Sequence, residues 1–392
     1  MADILGLEGP EELEELAFRR ISEGKIREGL KLVLRAAKKY EEEGNREDAA
    51  RLYRYLGYVL LEKTGDVEKA RPSLLKSAYL YIDLIEDEIS KPKVNIDLLD
   101  TYSLSVLEVF STLGDDISLS KYAKEFAAIY HDLGKTYEEL GDVSLAIKAY
   151  ESVYWYYKMA GNEENAKKAA EILITLYGQK AEDYLSNGNS ERAAEAFYNL
   201  AKFTWAIFDY DIHFIEMMDT AAKNFEKASK IAYSQGNLDG TTTNLVKAQY
   251  AYLLAKNFNR SKLIGINAAK MLNQLIATYR AEKNYEATNL KLLELYEALA
   301  GVGKFEEALK AYKLLLENES SIELRIRVRL AVIKYFIAKE NHHDLFEDVT
   351  AVEFHLSRGR HSKAMEIAER SMMKKSATRK LLSELHRAEG IG

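Results

Sequence analysis

The chain of 392 residues contains no cysteine. No disulfide can staple its fold, no thiolate can hold a metal, and no cysteine nucleophile can act. The absence fits a reducing, cytoplasmic setting. Proline is nearly absent as well: Pro10, Pro72 and Pro92 are the only three. Proline breaks helix interiors, so a chain this poor in it can be helical almost throughout. Pro10 stands where a first helix can begin, Pro92 marks a longer inter-helix loop, and Pro72 falls in the first turns of an apparent helix. No apolar run approaches the roughly 20 residues that span a bilayer. The acidic start (Glu11, Glu12, Glu14, Glu15) lacks the basic and apolar parts of a secretory leader. A net charge of −7 argues against a general polyanion-binding surface. The phosphate-loop, dinucleotide, hydrolase-elbow and HExxH signatures are all missing. Gly301-Val-Gly303-Lys304 has no following Ser or Thr and reads as a turn between helices.

What is present is a repeat. A glycine, usually followed by Asn or Asp, precedes an alanine by five residues: Gly44…Ala49, Gly65…Ala70, Gly141…Ala146, Gly161…Ala166, Gly188…Ala193, Gly303…Ala308 and Gly359…Ala364. Gly236-Asn237 is a degenerate copy without the alanine. Glycine ends a helix in the left-handed conformation, and Asn or Asp caps the next helix. The alanine lets a neighbouring helix approach. A large residue four positions on (Tyr53, Leu74, Tyr150, Phe197 or Tyr312) lies on the same face. Gly24 to Gly44 and Gly141 to Gly161 span 20 residues each, and Gly44 to Gly65 spans 21. That interval fits one helix and a short turn, so consecutive helices pack antiparallel. The spacing predicts an all-α, right-handed superhelix of antiparallel helix pairs. We expect a single array over 1–392, with N-terminal repeats in 1–90, central repeats in 96–235, and degenerate repeats with basic C-terminal helices in 236–392. The signal fades over 201–290.

The sharpest copy is Tyr130-x2-Leu133-Gly134-x2-Tyr137…Gly141…Ala146-x3-Tyr150. It resembles the tetratricopeptide repeat, in which an aromatic, Leu-Gly and Tyr precede the turn and Ala and an aromatic follow it. Most other copies lack the Leu-Gly pair. Lys135 to Tyr150, Tyr156-Tyr157-Lys158 with Asn162…Ala166-Lys167-Lys168, and Tyr184…Glu191-Arg192-Ala193…Phe197 resemble the central helices of the soluble NSF-attachment proteins. The likeness covers roughly residues 25–200. It implies an array that grips a helical bundle or peptide segment and recruits a AAA+ ATPase through its C-terminal helix. The tail departs from that family: Lys374, Lys375, Arg379 and Lys380 make it basic where the family is acidic. In tetratricopeptide arrays the first helix of each pair lines the concave surface. By that resemblance His131, Lys135 and Glu138 would face a bound partner.

Tyr150, Tyr154, Trp155, Tyr156 and Tyr157, like Phe203, Trp205, Phe208, Tyr210 and Phe214, read as inter-helix core before they read as ligand pockets. Five of the seven histidines lie in the last 51 residues, without metal-ligand spacing. From Ala351 to Gly392 nine Lys/Arg face five Asp/Glu. Arg358, Arg360, Lys363, Lys374, Lys375, Arg379 and Lys380, extended by Arg325, Arg327 and Arg329, form a candidate basic stripe for an acidic protein face or for nucleic acid. A solvated last helix explains the same charges. The expectation is therefore a non-enzymatic scaffold or adaptor for other proteins, with no cofactor and no metal. A ligand-responsive sensor and nucleic-acid binding through the stripe are the alternatives.

Overall fold

The computed structural model describes residues 9–318 and 321–391. The first eight residues of the acidic start lie outside it. Among the described residues there are 18 α-helices and no strand. Contacts divide the chain into two compact units: one of residues up to Lys135 with Ser152–Ala166, the other of Thr136–Glu151 with Lys167 onward. The first unit contains α1 (Pro10–Ser22), α2 (Ile26–Glu42), α3 (Arg46–Thr64), α4 (Val67–Ile89) and α5 (Ile96–Thr112). The division passes through α6 (Asp116–Glu139), α7 (Val143–Met159) and α8 (Glu163–Ser186). The second unit continues with α9 (Ser190–Phe208), α10 (Ile212–Ser234), α11 (Leu238–Leu254), α12 (Phe258–Ala281) and α13 (Tyr285–Gly301). It ends with α14 (Phe305–Leu316), α15 (Ile322–Lys339), α16 (Phe346–Ser357), α17 (His361–Met373) and α18 (Ser376–Ala388). Short turns join successive helices, which pack in sequence from α1 to α5 and from α9 to α14, whereas α15 packs on α13 and α17. The fold is an all-α array of antiparallel, tetratricopeptide-like helix pairs.

The repeat works as its residues predict. All seven alanines of the pattern are buried, from Ala49 to Ala364, and so are Tyr53, Leu74, Tyr150 and Tyr312. Phe197 is half-buried. Gly141 ends α6 at φ 75°. Its N–H donates to the Glu138 carbonyl, and that of Asp142 to the Tyr137 carbonyl, which is the two-bond Schellman closure. Asn45, Asp142, Asn162 and Asn189 each accept a backbone N–H from the third residue on, and Asp66 from the second and third. Pro72 is the sixth residue of α4, just beyond the first turn, so only one intrahelical bond is lost.

The turns of 201–290 have the same geometry under different residues. Lys256 and Lys283 adopt φ of 57° and 59°. Each N–H bonds three residues back, and Asn257 and Asn284 bond five back, to Tyr252 and Tyr279. The small residue five positions on is Ser261 or Thr288, and after Gly236 it is Thr241; all three are buried. The array therefore continues where its glycine and alanine markers stop. Gln249 pins three of its helices. Fully buried, it donates to the Ala298 carbonyl at 2.9 Å and lies against Gly265 of α12 and Gly301 of α13. A Cβ at Gly301 would come within 2.3 Å of its Nε2.

Candidate functional site

The aromatic residues of the first cluster, Tyr150 to Tyr156, are core. In the second cluster Phe203 and Phe214 are buried, whereas Phe208 is about half exposed. Trp205 and Phe214 pack on Phe346 of α16 at 5.2 and 5.1 Å, and Tyr210 stacks on His343 at 3.8 Å. These contacts join segments far apart in sequence, and they set α16 beside α9 and α10. The second unit also holds a cavity with polar walls.

The cavity has a volume of about 370 Å³. Its walls come from alternate helices: Tyr198 and Asn199 of α9, Val246, Lys247 and Tyr250 of α11, Glu297 of α13, and Arg327, Leu330, Ala331 and Lys334 of α15. Phe225 of α10 completes the apolar part. The alternation follows from the fold. In a stack of antiparallel pairs every second helix presents its side chains to the same surface.

Three ion pairs are built into the walls. Arg327 grips Glu297 through Nε and Nη2, both at 3.0 Å. Lys247 meets Glu195 at 2.8 Å. Lys334 meets Glu353 of α16 at 2.8 Å, and the same carboxylate takes Lys202 at 3.1 Å and the Tyr198 hydroxyl at 3.1 Å. Burial alone would push the Glu353 carboxyl up, but Lys334 and Lys202 overcome it and hold it at about 2. Burial works against the Lys334 charge too, and Glu353 and Tyr198 nevertheless keep it above its usual value. Burial raises Glu297 despite Arg327 beside it. Burial also raises the Tyr198 and Tyr250 hydroxyls, which stay protonated; Tyr250 donates to the Glu297 carbonyl at 2.8 Å.

Apart from Arg327, the residues singled out in the sequence are not in the cavity lining. His131, Lys135 and Glu138 share one face of α6 at i, i+4 and i+7, with Lys135 and Glu138 exposed. Glu138 accepts the Tyr150 hydroxyl at 2.6 Å. The basic positions disperse. Arg358 is buried, donates to the Lys148 carbonyl at 3.1 Å and lies 3.7 Å from Glu151. Arg360 occupies the position before the first turn of α17. Lys374 and Lys375 pair with Asp348 and Asp344, and Lys363 with Glu366. Arg379 donates to the Met373 carbonyl, and Lys380 is exposed. Arg329 is fully buried between Glu369 and Glu389, each at 2.8 Å. The cavity left no mark in the sequence beyond Arg327, because its walls come from helices far apart in the chain, from Glu195 to Lys334.

Among the described residues no group of three or more His, Asp or Glu is placed to hold a metal, and no helix is long and apolar enough to cross a membrane. No family model and no curated protein matches the sequence. Two solved structures align over most of the chain. A circular tandem repeat protein with a novel repeat topology is 16% identical over 97% of this chain and 96% of its own, with a TM-score of 0.30. The yeast Tom70 structure is 16% identical over 99% and 90%, with a TM-score of 0.24. At such scores neither likeness carries an argument.

Proposed function

We propose that the chain is a non-enzymatic scaffold or adaptor that binds helical or peptide segments of partner proteins on the surfaces of its helix pairs. One observation carries the reading: a preformed cavity whose charged walls are paired before any ligand arrives. Such walls hold their geometry on rigid helices, as a recognition surface requires. The test is selection of peptides from a display library against the full chain. Enriched sequences that bind the wild type and lose affinity when Val246 or Leu330 is enlarged support the reading. A library that enriches nothing removes it.

The α6 face is a second candidate contact. Reversing charge with Lys135→Glu and His131→Glu should weaken a selected partner without lowering the melting temperature, and unchanged affinity excludes that face. The finer proposal, recruitment of a AAA+ ATPase by the C-terminal helix, rests on residue resemblance. Removing the chain after Ser371 would also remove Glu389, the partner of buried Arg329, so Lys380→Glu with Arg387→Glu is the cleaner test. For Arg358, Arg360, Lys374, Lys375 and Arg379 as contacts, release from their present partners comes first. That requirement also weighs against the nucleic-acid alternative, whose signature would be steep salt dependence. A cytoplasmic setting belongs to the same proposal and rests on the absence of cysteine.

A further inference from the structure

The cavity's polar groups are unequally committed. Glu297 uses both oxygens on Arg327, and Glu195 is engaged by Lys247. Phe225 already carries Lys247 over its ring, at 5.5 Å. A cationic ligand would therefore compete with Arg327 and Lys247 for these carboxylates and with Lys247 for the ring face. Donors are in surplus. Arg327 spends Nε and Nη2 on Glu297, and among the described residues its Nη1 has no acceptor. The Asn199 carboxamide, in the same wall, has no hydrogen bond among the described residues. The pair is also asymmetric: the Arg327 side chain is 37% exposed and Glu297 only 12%, so the guanidinium is open and its counter-ion covered. Leu330 and Ala331, at i+3 and i+4 from Arg327 on α15, and Val246 and Tyr250 of α11 supply the apolar part of the lining. The volume of about 370 Å³ falls within the range of small-molecule sites.

We propose that this cavity binds a small amphipathic organic anion, its apolar body on Val246, Leu330 and Ala331 and its acidic head on the open edge of Arg327 and the Asn199 amide. An arginine fork suits a planar carboxylate, and burial strengthens the contact. The site goes beyond the scaffold reading and does not depend on it. Display selection tests that reading, and dye binding tests this one.

The experiment is fluorescence titration of the full chain with two dyes that share a ring system: anilinonaphthalene sulfonate, which is anionic, and phenylnaphthylamine, which is uncharged. The anionic dye should saturate a single site and bind at least about tenfold more tightly than the neutral one. Ala331→Phe, which fills the apolar part of the cavity, should abolish that site. Arg327→Gln combined with Glu297→Gln removes both charges and leaves neither stranded. It should weaken the anionic dye about tenfold and leave the neutral dye unchanged. Should either variant fail to melt cooperatively, Asn199→Ala leaves the ion pair intact and should still weaken the anionic dye severalfold. Equal affinity for the two dyes, or saturation unaffected by the folded variants, overturns the proposal. Competition identifies the source of the anion. Displacement by phenylpropionate assigns a free organic acid, and displacement only by acidic peptides assigns a partner's side chain. Displacement by neither at millimolar concentration overturns the site.

Discussion

The turns up to Gly188 and those from Asp209 onward build the same array by different means. In the first region the left-handed position is held by glycine, as at Gly44, Gly141 and Gly161. In the second it is shared between Asp209, Lys256, Lys283 and Asn341 on one side and Gly236, Gly303, Gly359 and Gly390 on the other. Charge is used differently as well. Arg46 with Asp87, an inter-helix ion pair of the first region, sits in solvent. In the second region Arg329, Glu389 and the Glu353 cluster are covered. Early helices are thus held by local rules repeated in sequence. Later helices are held by specific long-range pairs as well, and Arg327 with Glu297 lines the polar cavity.

The largest expected break lies in the covered charges. Glu389→Ala leaves fully buried Arg329 with Glu369 as its one carboxylate, and stability should fall by about 3–5 kcal/mol in denaturant unfolding. Arg46→Ala, at an exposed pair, should change little. Comparable losses at both sites would erase the distinction between the two regions.

A smaller effect separates the small residues. Ala146→Leu overpacks a fully buried position and should destabilise by about 1–3 kcal/mol. Ser261→Ala should be neutral or slightly stabilising, because the buried Ser261 hydroxyl has no hydrogen-bond partner among the described residues. A marked loss at Ser261→Ala would mean that its hydroxyl is bonded after all.

The Glu353 cluster separates the regions by pH. Its carboxyl stands at about 2, against an ordinary 4.5. A depressed value means that its stabilising contribution is complete above about 4.5 and drains away as pH falls toward about 2. Glu353→Gln should flatten the acid limb of the stability curve in that window, with a uniform loss above it. An acid limb identical to the wild type would show that the cluster does not hold Glu353 ionised.

These contrasts explain what was legible in the sequence. Helix content, turn positions, Asn and Asp caps and packed alanines follow from local chemistry, so they could be read one turn at a time. Arg325, Arg327 and Arg329 looked like one stripe. On a helix, residues two apart point about 200° from each other, and Arg327 faces the cavity while Arg329 enters the core. Their partners Glu297, Glu369 and Glu389 come from other helices, and no local pattern names them. The cavity was illegible for the same reason. Tyr198 and Glu353 are 155 residues apart and meet only because α16 packs beside α9.

The smallest effect tests the turns themselves. The glycine and alanine pattern fades over 201–290, whereas the turns there require only a positive φ. Lys256 and Lys283 meet that requirement with strain that a Cβ imposes in the left-handed region. Lys256→Gly and Lys283→Gly should relieve it, with a gain of up to about 1 kcal/mol each, reduced by the added freedom of the unfolded chain. Gly141→Ala should shift stability by a similar amount in the opposite direction. Both signs follow from one backbone geometry, so thermal unfolding of the three variants is a matched set. If the lysine variants lose stability, the lysine side chains contribute contacts that outweigh the strain. The two classes of turn would then be distinct devices, and the sequence signal would have faded for a structural reason.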